Sequence, residues 1–197
     1  MSADSNPQAE DWNDKSLASL IEHIVQAHHA FCRQETARIA VLFKEAIREQ
    51  GNSHPELKRI HDLFYLMSRD LLMHLLKEEQ TLFPYIVKVE EAVSQDAPVS
   101  WPPFGTVENP IRMMVLEHVK TDDELNQIRD LSNNYTPPEG ACNSYSSLYK
   151  SLSAFDRDMQ RHIHAEDNLL FPRAVAMEEQ ACAEKKTTEA NSTRLAL

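Results

Sequence analysis

Apolar residues recur at steps of three and four along four stretches of the chain, and segments rich in proline, glycine and asparagine separate these stretches. This period places the apolar residues on one face of an α-helix, which turns once in about 3.6 residues. The predicted helices begin near Leu17, Pro55, Pro110 and Ala141. No stretch alternates apolar and polar residues for long, so the pattern predicts an all-α protein.

Four long helices, each apolar on one face, predict an up-down-up-down four-helix bundle. We expect the bundle to span residues 14–182, between a disordered leader at 1–13 and a disordered tail at 183–197. Asn109 precedes a proline and is the expected N-terminal cap of the third helix.

Histidine, alone or with an acid, interrupts each apolar face near its middle. Residues 74–84 and 162–172 share one pattern: a histidine, a glutamate four residues later, an acid directly after it, and Leu-Phe-Pro at the end. Residues i and i+4 of a helix lie on one face, so each stretch presents an imidazole beside a carboxylate. The repeat also predicts a pseudo-twofold relation between the two helix pairs, with Glu78 opposite Glu166.

A metal would supply the partners that buried imidazoles and carboxylates need. The candidate ligands are His29, His54, His74, Glu78, His118, His162 and Glu166. They are too many for one tetrahedral zinc ion and suit two ions bridged by the glutamates. His54 precedes the second helix, so it reaches the site only if its loop folds inward. We expect the other four histidines to be ordinary core or surface residues, namely His23, His28, His61 and His164.

Three further side chains near the predicted site have open roles. Cys32 lies one turn after His29 and is either a ligand, a redox group or a packing residue. Asp122 follows His118 by four residues and is either a third carboxylate ligand or a partner that orients a histidine. Glu117 is a candidate for the orienting role.

The formal net charge of −11 argues against nucleic acid and an anionic membrane surface as partners, because both bind basic proteins. No apolar run reaches the length of a membrane span, and residues 1–14 lack the basic and apolar regions of a secretory signal. Three cysteines without a Cys-x-x-Cys motif predict a reduced, cytoplasmic protein.

These motifs resemble those of the hemerythrin-like (HHE cation-binding) proteins and, more narrowly, of the RIC family, the di-iron proteins for repair of iron centres. The resemblance spans about residues 11–178 and rests on the two histidine–glutamate stretches. The turn at 134–142, with its Thr-Pro-Pro and Ala-Cys, favours the RIC branch. The resemblance implies two iron ions per chain, an oxo or hydroxo bridge, and bridging by the two glutamates. The implied ligands are His29, His74, Glu78, His118, His162 and Glu166, with His54 as a candidate fifth imidazole.

The resemblance also implies a function in nitrosative and oxidative stress. The protein would repair damaged iron–sulfur clusters or donate iron to them, with the damaged proteins as clients, and would bind nitric oxide, oxygen or peroxide at the di-iron site. Two alternatives stay open: a nitric-oxide reductase or peroxide-scavenging enzyme, and an oxygen or redox sensor or iron store.

The sequence departs in two ways from the families that it resembles. It contains no Cys-Cys pair, which many RIC proteins carry in an N-terminal domain. Asp122 stands where oxygen-carrying hemerythrins have a second histidine on the third helix. We expect the second departure to leave an iron less firmly held or more open, which suits reaction or iron transfer better than oxygen storage.

Overall fold

Four long helices form the protein in a computed structural model, which describes residue 12 and residues 14–195, with side chains up to residue 183. Helix α1 comprises Leu17–His23, Ile24–His29 and Ala30–Gln50; α2 comprises Glu56–Lys77, Glu78–Leu82 and Phe83–Ser94; α3 is Glu108–Leu131; α4 comprises Asn143–His164, Ala165–Leu170 and Phe171–Leu195. The prediction of an all-α, hemerythrin-like four-helix bundle is confirmed.

The predicted domain limits stay predictions. Apart from residue 12, the expected leader lies outside the described residues. Helix α4 continues to Leu195, beyond the expected end of the bundle at residue 182, and its side chains after residue 183 lie outside the described part.

The start of α1 is tied to the end of α2. The Ser16 hydroxyl accepts a hydrogen bond of 3.1 Å from the amide of Ser19, as expected of an N-terminal cap. The Glu90 carboxylate accepts bonds of 2.6 and 2.8 Å from the amides of Leu17 and Ala18. These bonds satisfy amide groups that the first helical turn leaves without partners.

Helix α3 begins at Glu108, two residues before the predicted start at Pro110, so Asn109 is not its cap. The Glu178 carboxylate on α4 accepts hydrogen bonds of 3.0 and 3.1 Å from the amide of Val107, which holds the helix start against α4. The Asn109 side chain instead donates a bond of 2.8 Å back to the Phe104 carbonyl.

The middle segments of α1, α2 and α4 are π-helical. The amide of Phe83 donates to the carbonyl of Glu78, and the amide of Phe171 donates to that of Glu166, five residues back rather than four. Such a turn holds one extra residue, so side chains five apart share a face. The sequence predicts a bend at Pro84, and this wider turn lies directly before it.

Two apolar clusters fill the two ends of the bundle. One contains Phe43, Phe64 and Phe155, and the other contains Leu17 and Leu170. All the predicted ligands except His54 lie near the middle of the helices, between these two clusters, so both ends of the bundle hold them in place. Within the part of the chain that the structure describes, no helix has the length and apolar character needed to cross a bilayer.

Candidate metal centre

Six of the seven predicted ligands meet at the middle of the bundle in two groups of four. The donor atoms of each group lie within 4.8 Å of one another. The first group is His29, Glu78, His162 and Glu166, and the second group is His74, Glu78, His118 and Glu166. All six side chains are buried, with at most 4% of any residue exposed. The two glutamates are common to both groups.

Each of these glutamates directs one oxygen towards each group. Glu78 Oε1 lies 3.2 Å from Nε2 of His74, and its Oε2 lies 3.5 Å from Nε2 of His29. Glu166 Oε1 lies 2.9 Å from Nε2 of His162, and its Oε2 lies 3.1 Å from Nε2 of His118. A carboxylate in this arrangement can bridge two ions.

The donor set fits a pair of metal ions. Nε2 of His29 lies 3.2 Å from Nε2 of His162, and Nε2 of His74 lies 3.1 Å from Nε2 of His118. Ligand atoms about 2.1 Å from one ion are about 3 Å apart in neighbouring coordination positions. Both oxygens of Glu78 and Oε2 of Glu166 are buried without hydrogen-bond partners in the described chain, despite the nearby imidazoles. Buried polar atoms without partners are rare, and metal ions would provide them here.

Carboxylates hold the outer nitrogen of three of the imidazoles. His29 Nδ1 lies 2.7 Å from Glu79, and two further contacts of 2.8 Å join His118 to Asp167 and His74 to Glu117. Because a carboxylate only accepts, Nδ1 carries the proton in each pair and the Nε2 lone pair faces the group. This arrangement fixes the tautomer and orientation that a metal ligand needs.

Two of these carboxylates also bind a surface cation. Glu79 accepts a bond of 2.8 Å from Arg33, and Glu117 accepts one of 2.7 Å from Lys77. Although burial acts to raise the pKa of both carboxyl groups, these cations and the imidazoles lower it. Both groups are therefore ionised acceptors at neutral pH.

The Leu-Phe-Pro endings place a phenylalanine ring against one histidine of each group. Phe83 stacks on His29 with ring centroids 5.6 Å apart, and Phe171 stacks on His118 at 6.1 Å. The two contacts are related by the predicted pseudo-twofold repeat. They cover one face of each of these two imidazoles with apolar surface.

The buried imidazoles and carboxylates of the two groups shift one another's pKa values. Burial acts to lower the pKa of His118, but the neighbouring carboxylates of Asp167 and Glu166 raise it to about 10. Burial acts to raise the pKa of Glu166, but the imidazoles of His162, His118 and His29 hold it well below its usual range. The carboxylates thus favour positive charge at the position where a cation would bind.

His54 does not join either group. Its Nδ1 lies 2.9 Å from Glu56 Oε1 at the start of α2, and its ring packs against Tyr145 at 5.2 Å. The loop before α2 therefore directs this imidazole towards the end of the bundle, and the condition that the loop fold inward to the site is not met.

Cys32 and Asp122 also lie outside both groups. Cys32 is buried, and burial raises the pKa of its thiol, as expected for a packing residue. Asp122 accepts hydrogen bonds from Gln160 at 2.6 Å and Asn126 at 3.2 Å. Of the orienting candidates, only Glu117 contacts a histidine of the groups.

Sequence reasoning missed the position of His28. Its imidazole is 8% exposed, donates to Asp158 over 3.0 Å and stacks on His162 with ring centroids 5.8 Å apart. The helical period assigned His29 to the inward face and therefore placed its neighbour His28 off that face, so the sequence did not indicate that His28 contacts His162.

A groove of about 300 Å³ between α2 and α3 reaches the outer side of His74. Glu117 and Lys77 line it beside the imidazole, with Asp70 and Lys120 further along. Solvent therefore approaches the second group more closely than its burial alone indicates.

The fold and this site define a hemerythrin-like bundle with a buried histidine–carboxylate cluster, the candidate metal centre. The family model of the Hemerythrin HHE cation binding domain matches residues 109–191, which cover α3 and most of α4. The chain is 32% identical over 167 residues to the iron-sulfur cluster repair protein YtfE of Yersinia pseudotuberculosis serotype O:1b (strain IP 31758), covering 85% of this chain and 70% of the relative. The YtfE protein of Yersinia pestis (strain Pestoides F) matches with the same identity and coverage. The chain belongs to the RIC family of hemerythrin-like proteins.

Proposed function

We propose that this protein holds two iron ions in the two groups and takes part in the repair of damaged iron–sulfur clusters by supplying iron. The observation that carries the proposal is the pair of buried four-donor groups sharing Glu78 and Glu166. The name of its Yersinia relatives, iron-sulfur cluster repair protein, supports the choice of process. An oxo or hydroxo bridge between the ions completes the proposed centre.

When bound, the iron pair supplies redox and Lewis-acid chemistry, and iron is also the proposed cargo. The carboxylates on Nδ1 of His29, His74 and His118 direct Nε2 of these imidazoles inward. Glu78 and Glu166 would supply negative charge to both metal ions. Phe83 and Phe171 exclude water from the sides of His29 and His118. Proteins with damaged iron–sulfur clusters are the proposed clients, and the cytoplasm is the proposed compartment.

Each group offers four protein donors, fewer than the six of an octahedral ion. The positions left over support the binding of nitric oxide, oxygen or peroxide as part of the proposal. This also keeps a second function open, an enzyme that turns over nitric oxide or peroxide. Nitrous oxide formed in large excess over the protein would favour that enzyme, whereas one burst per iron pair would favour binding alone.

Metal analysis of anaerobically purified protein tests the centre. We expect two irons per chain, and we expect His162→Ala to lose metal. His164→Ala is the matched control, because His164 lies on the same helix but is exposed and contacts Asn168. Zinc in place of iron, or full metal in both variants, would overturn the assignment.

Cluster repair is tested separately with isotopically labelled iron in the bundle. A cluster-containing dehydratase inactivated by nitric oxide serves as the client. We expect the labelled iron to enter the client as its activity returns, with wild type and His164→Ala but not with His162→Ala. Reactivation without labelled iron in the client would refute iron donation.

A further inference from the structure

The four imidazoles of the two groups do not have equal support. In the second group, both His74 and His118 donate from Nδ1 to a carboxylate. In the first group, only His29 does so. Nδ1 of His162 is buried and finds no hydrogen-bond partner among the described residues.

The pseudo-twofold repeat shows which side chain is missing. Glu117, the partner of His74, directly precedes His118 on α3. The corresponding residue before His29 on α1 is His28. It lies against His162 with ring planes 10° apart, so it stacks instead of accepting a hydrogen bond. Its own Nδ1 is directed away, to Asp158 at 3.0 Å.

We propose that the two groups hold their metal ions unequally, and that the ion in the first group leaves before the ion in the second group. The inference rests on the proposed function, since it needs both groups to bind metal. A carboxylate that accepts the Nδ1 proton fixes the ring and raises the basicity of Nε2. His162 has no such partner among the described residues, so its ring is not fixed and the basicity of its Nε2 is not raised in this way. Loss of such a partner typically lowers metal affinity by about 10- to 100-fold.

A second physical effect acts in the opposite direction. The groove beside His74 brings solvent close to the second group, which would speed release there if access limited the rate. Ligand strength and access therefore predict different orders of release. Measuring which ion leaves first decides between them.

The experiment starts from protein loaded with two irons per chain and treated with a ferrous chelator under argon. We expect two phases of release, each of one iron, with rates that differ by at least about tenfold. Crystals soaked in the chelator until half of the iron is lost should keep anomalous iron density beside His74 and His118 and lose it beside His29 and His162. A single phase, or earlier loss beside His74, would overturn the inference.

Variants at positions 117 and 28, which correspond in the repeat, test whether the partner of Nδ1 sets the rate of iron release. Glu117→Gln removes the ionised partner of His74, so we expect the slow phase to become about 10- to 100-fold faster. His28→Ala leaves the fast phase unchanged if His28 gives His162 no support. Glu124→Gln is the matched control, because Glu124 is a half-buried carboxylate on α3 whose partner is Lys120. An unchanged slow phase in Glu117→Gln, or a much altered fast phase in His28→Ala, would contradict the proposed cause.

The outcomes also separate this inference from the proposed function. Two irons that leave at equal rates would refute the inequality and leave the di-iron centre intact. Protein that never takes up two irons would refute the centre itself. The stoichiometry measured before chelation distinguishes these results.

Discussion

Removal of the metal should destabilise the bundle strongly, because the ligands have few other partners. Three buried carboxylate oxygens, two on Glu78 and one on Glu166, have no hydrogen bond in the described chain. Each buried acceptor without a partner costs about 1–3 kcal/mol, so metal removal should lower the free energy of unfolding by about 3–9 kcal/mol. The nearby imidazoles reduce this cost when they are protonated, which favours the lower half of the range.

Thermal unfolding measures this effect directly. For a chain of this length, 1 kcal/mol corresponds to about 2–4 °C in Tm. We therefore expect the metal-free protein to melt about 10–20 °C below the iron-loaded protein, as followed by circular dichroism at fixed pH with and without chelator. His164→Ala should show the same difference, whereas His162→Ala should show a much smaller one. Equal melting temperatures of the loaded and metal-free wild type would refute the reasoning, because they would show that the buried carboxylates need no cation.

Three further predictions concern residues away from the two groups. His54→Ala should keep the full metal content, measured by elemental analysis, because the imidazole contacts the start of α2 instead of the donors; metal loss would restore it as a ligand. Tyr135→Phe should lower the free energy of unfolding by about 1.5–3 kcal/mol in urea without changing metal content, because the hydroxyl donates a 2.8 Å bond to the Asp156 carboxylate. Burial and the neighbouring Glu178 raise the pKa of Tyr85 above its ordinary value of 10.0, so the folded state keeps a proton that the unfolded chain loses. Stability should therefore fall as pH rises above about 10, and this fall should be shallower in Tyr85→Phe; identical slopes would contradict the assignment.

The repeated spacing of histidine and glutamate was enough to predict where most of the site lies. Residues i and i+4 of a helix lie on the same face, and the apolar residues around each histidine–glutamate pair showed that this face points inward. This reasoning correctly brought His74, Glu78, His162 and Glu166 together. It failed for His54, because a residue before a helix has no face and only the loop conformation decides its direction.

The π turns explain a second limit of the sequence reasoning. A period of 3.6 residues through Ile21 and His29 predicts that Val25 lies on the inward face of α1, but the structure buries Ile24 fully and leaves Val25 partly exposed. Pro84, after the turn in α2, predicts a departure from regular α-helix, whereas no proline follows the turn within α1. The local sequence of α1 therefore gave no signal for the extra residue.

The partners of the imidazoles were only partly predictable for a related reason. The acidic residue after each shared glutamate was visible in the repeat, but its partner lies on another helix, so pairing Glu79 with His29 required knowledge of the helix packing. Glu117 was identified only as a candidate. The different role of its counterpart His28 depends on ring orientation, which sequence spacing does not specify.

The π turns allow each repeated motif to direct both a glutamate and a phenylalanine into the core. In a regular α-helix, residues five apart point in directions about 140° apart, so Glu78 and Phe83 would not both face the core. The wider turn brings both inward, and Glu166 and Phe171 are arranged in the same way on α4. One helix segment thus supplies a carboxylate to both groups and a ring that covers a histidine of another helix. Because π turns frequently lie at functional sites, their position supports the proposal that Phe83 and Phe171 belong to the candidate metal centre together with the histidines and glutamates.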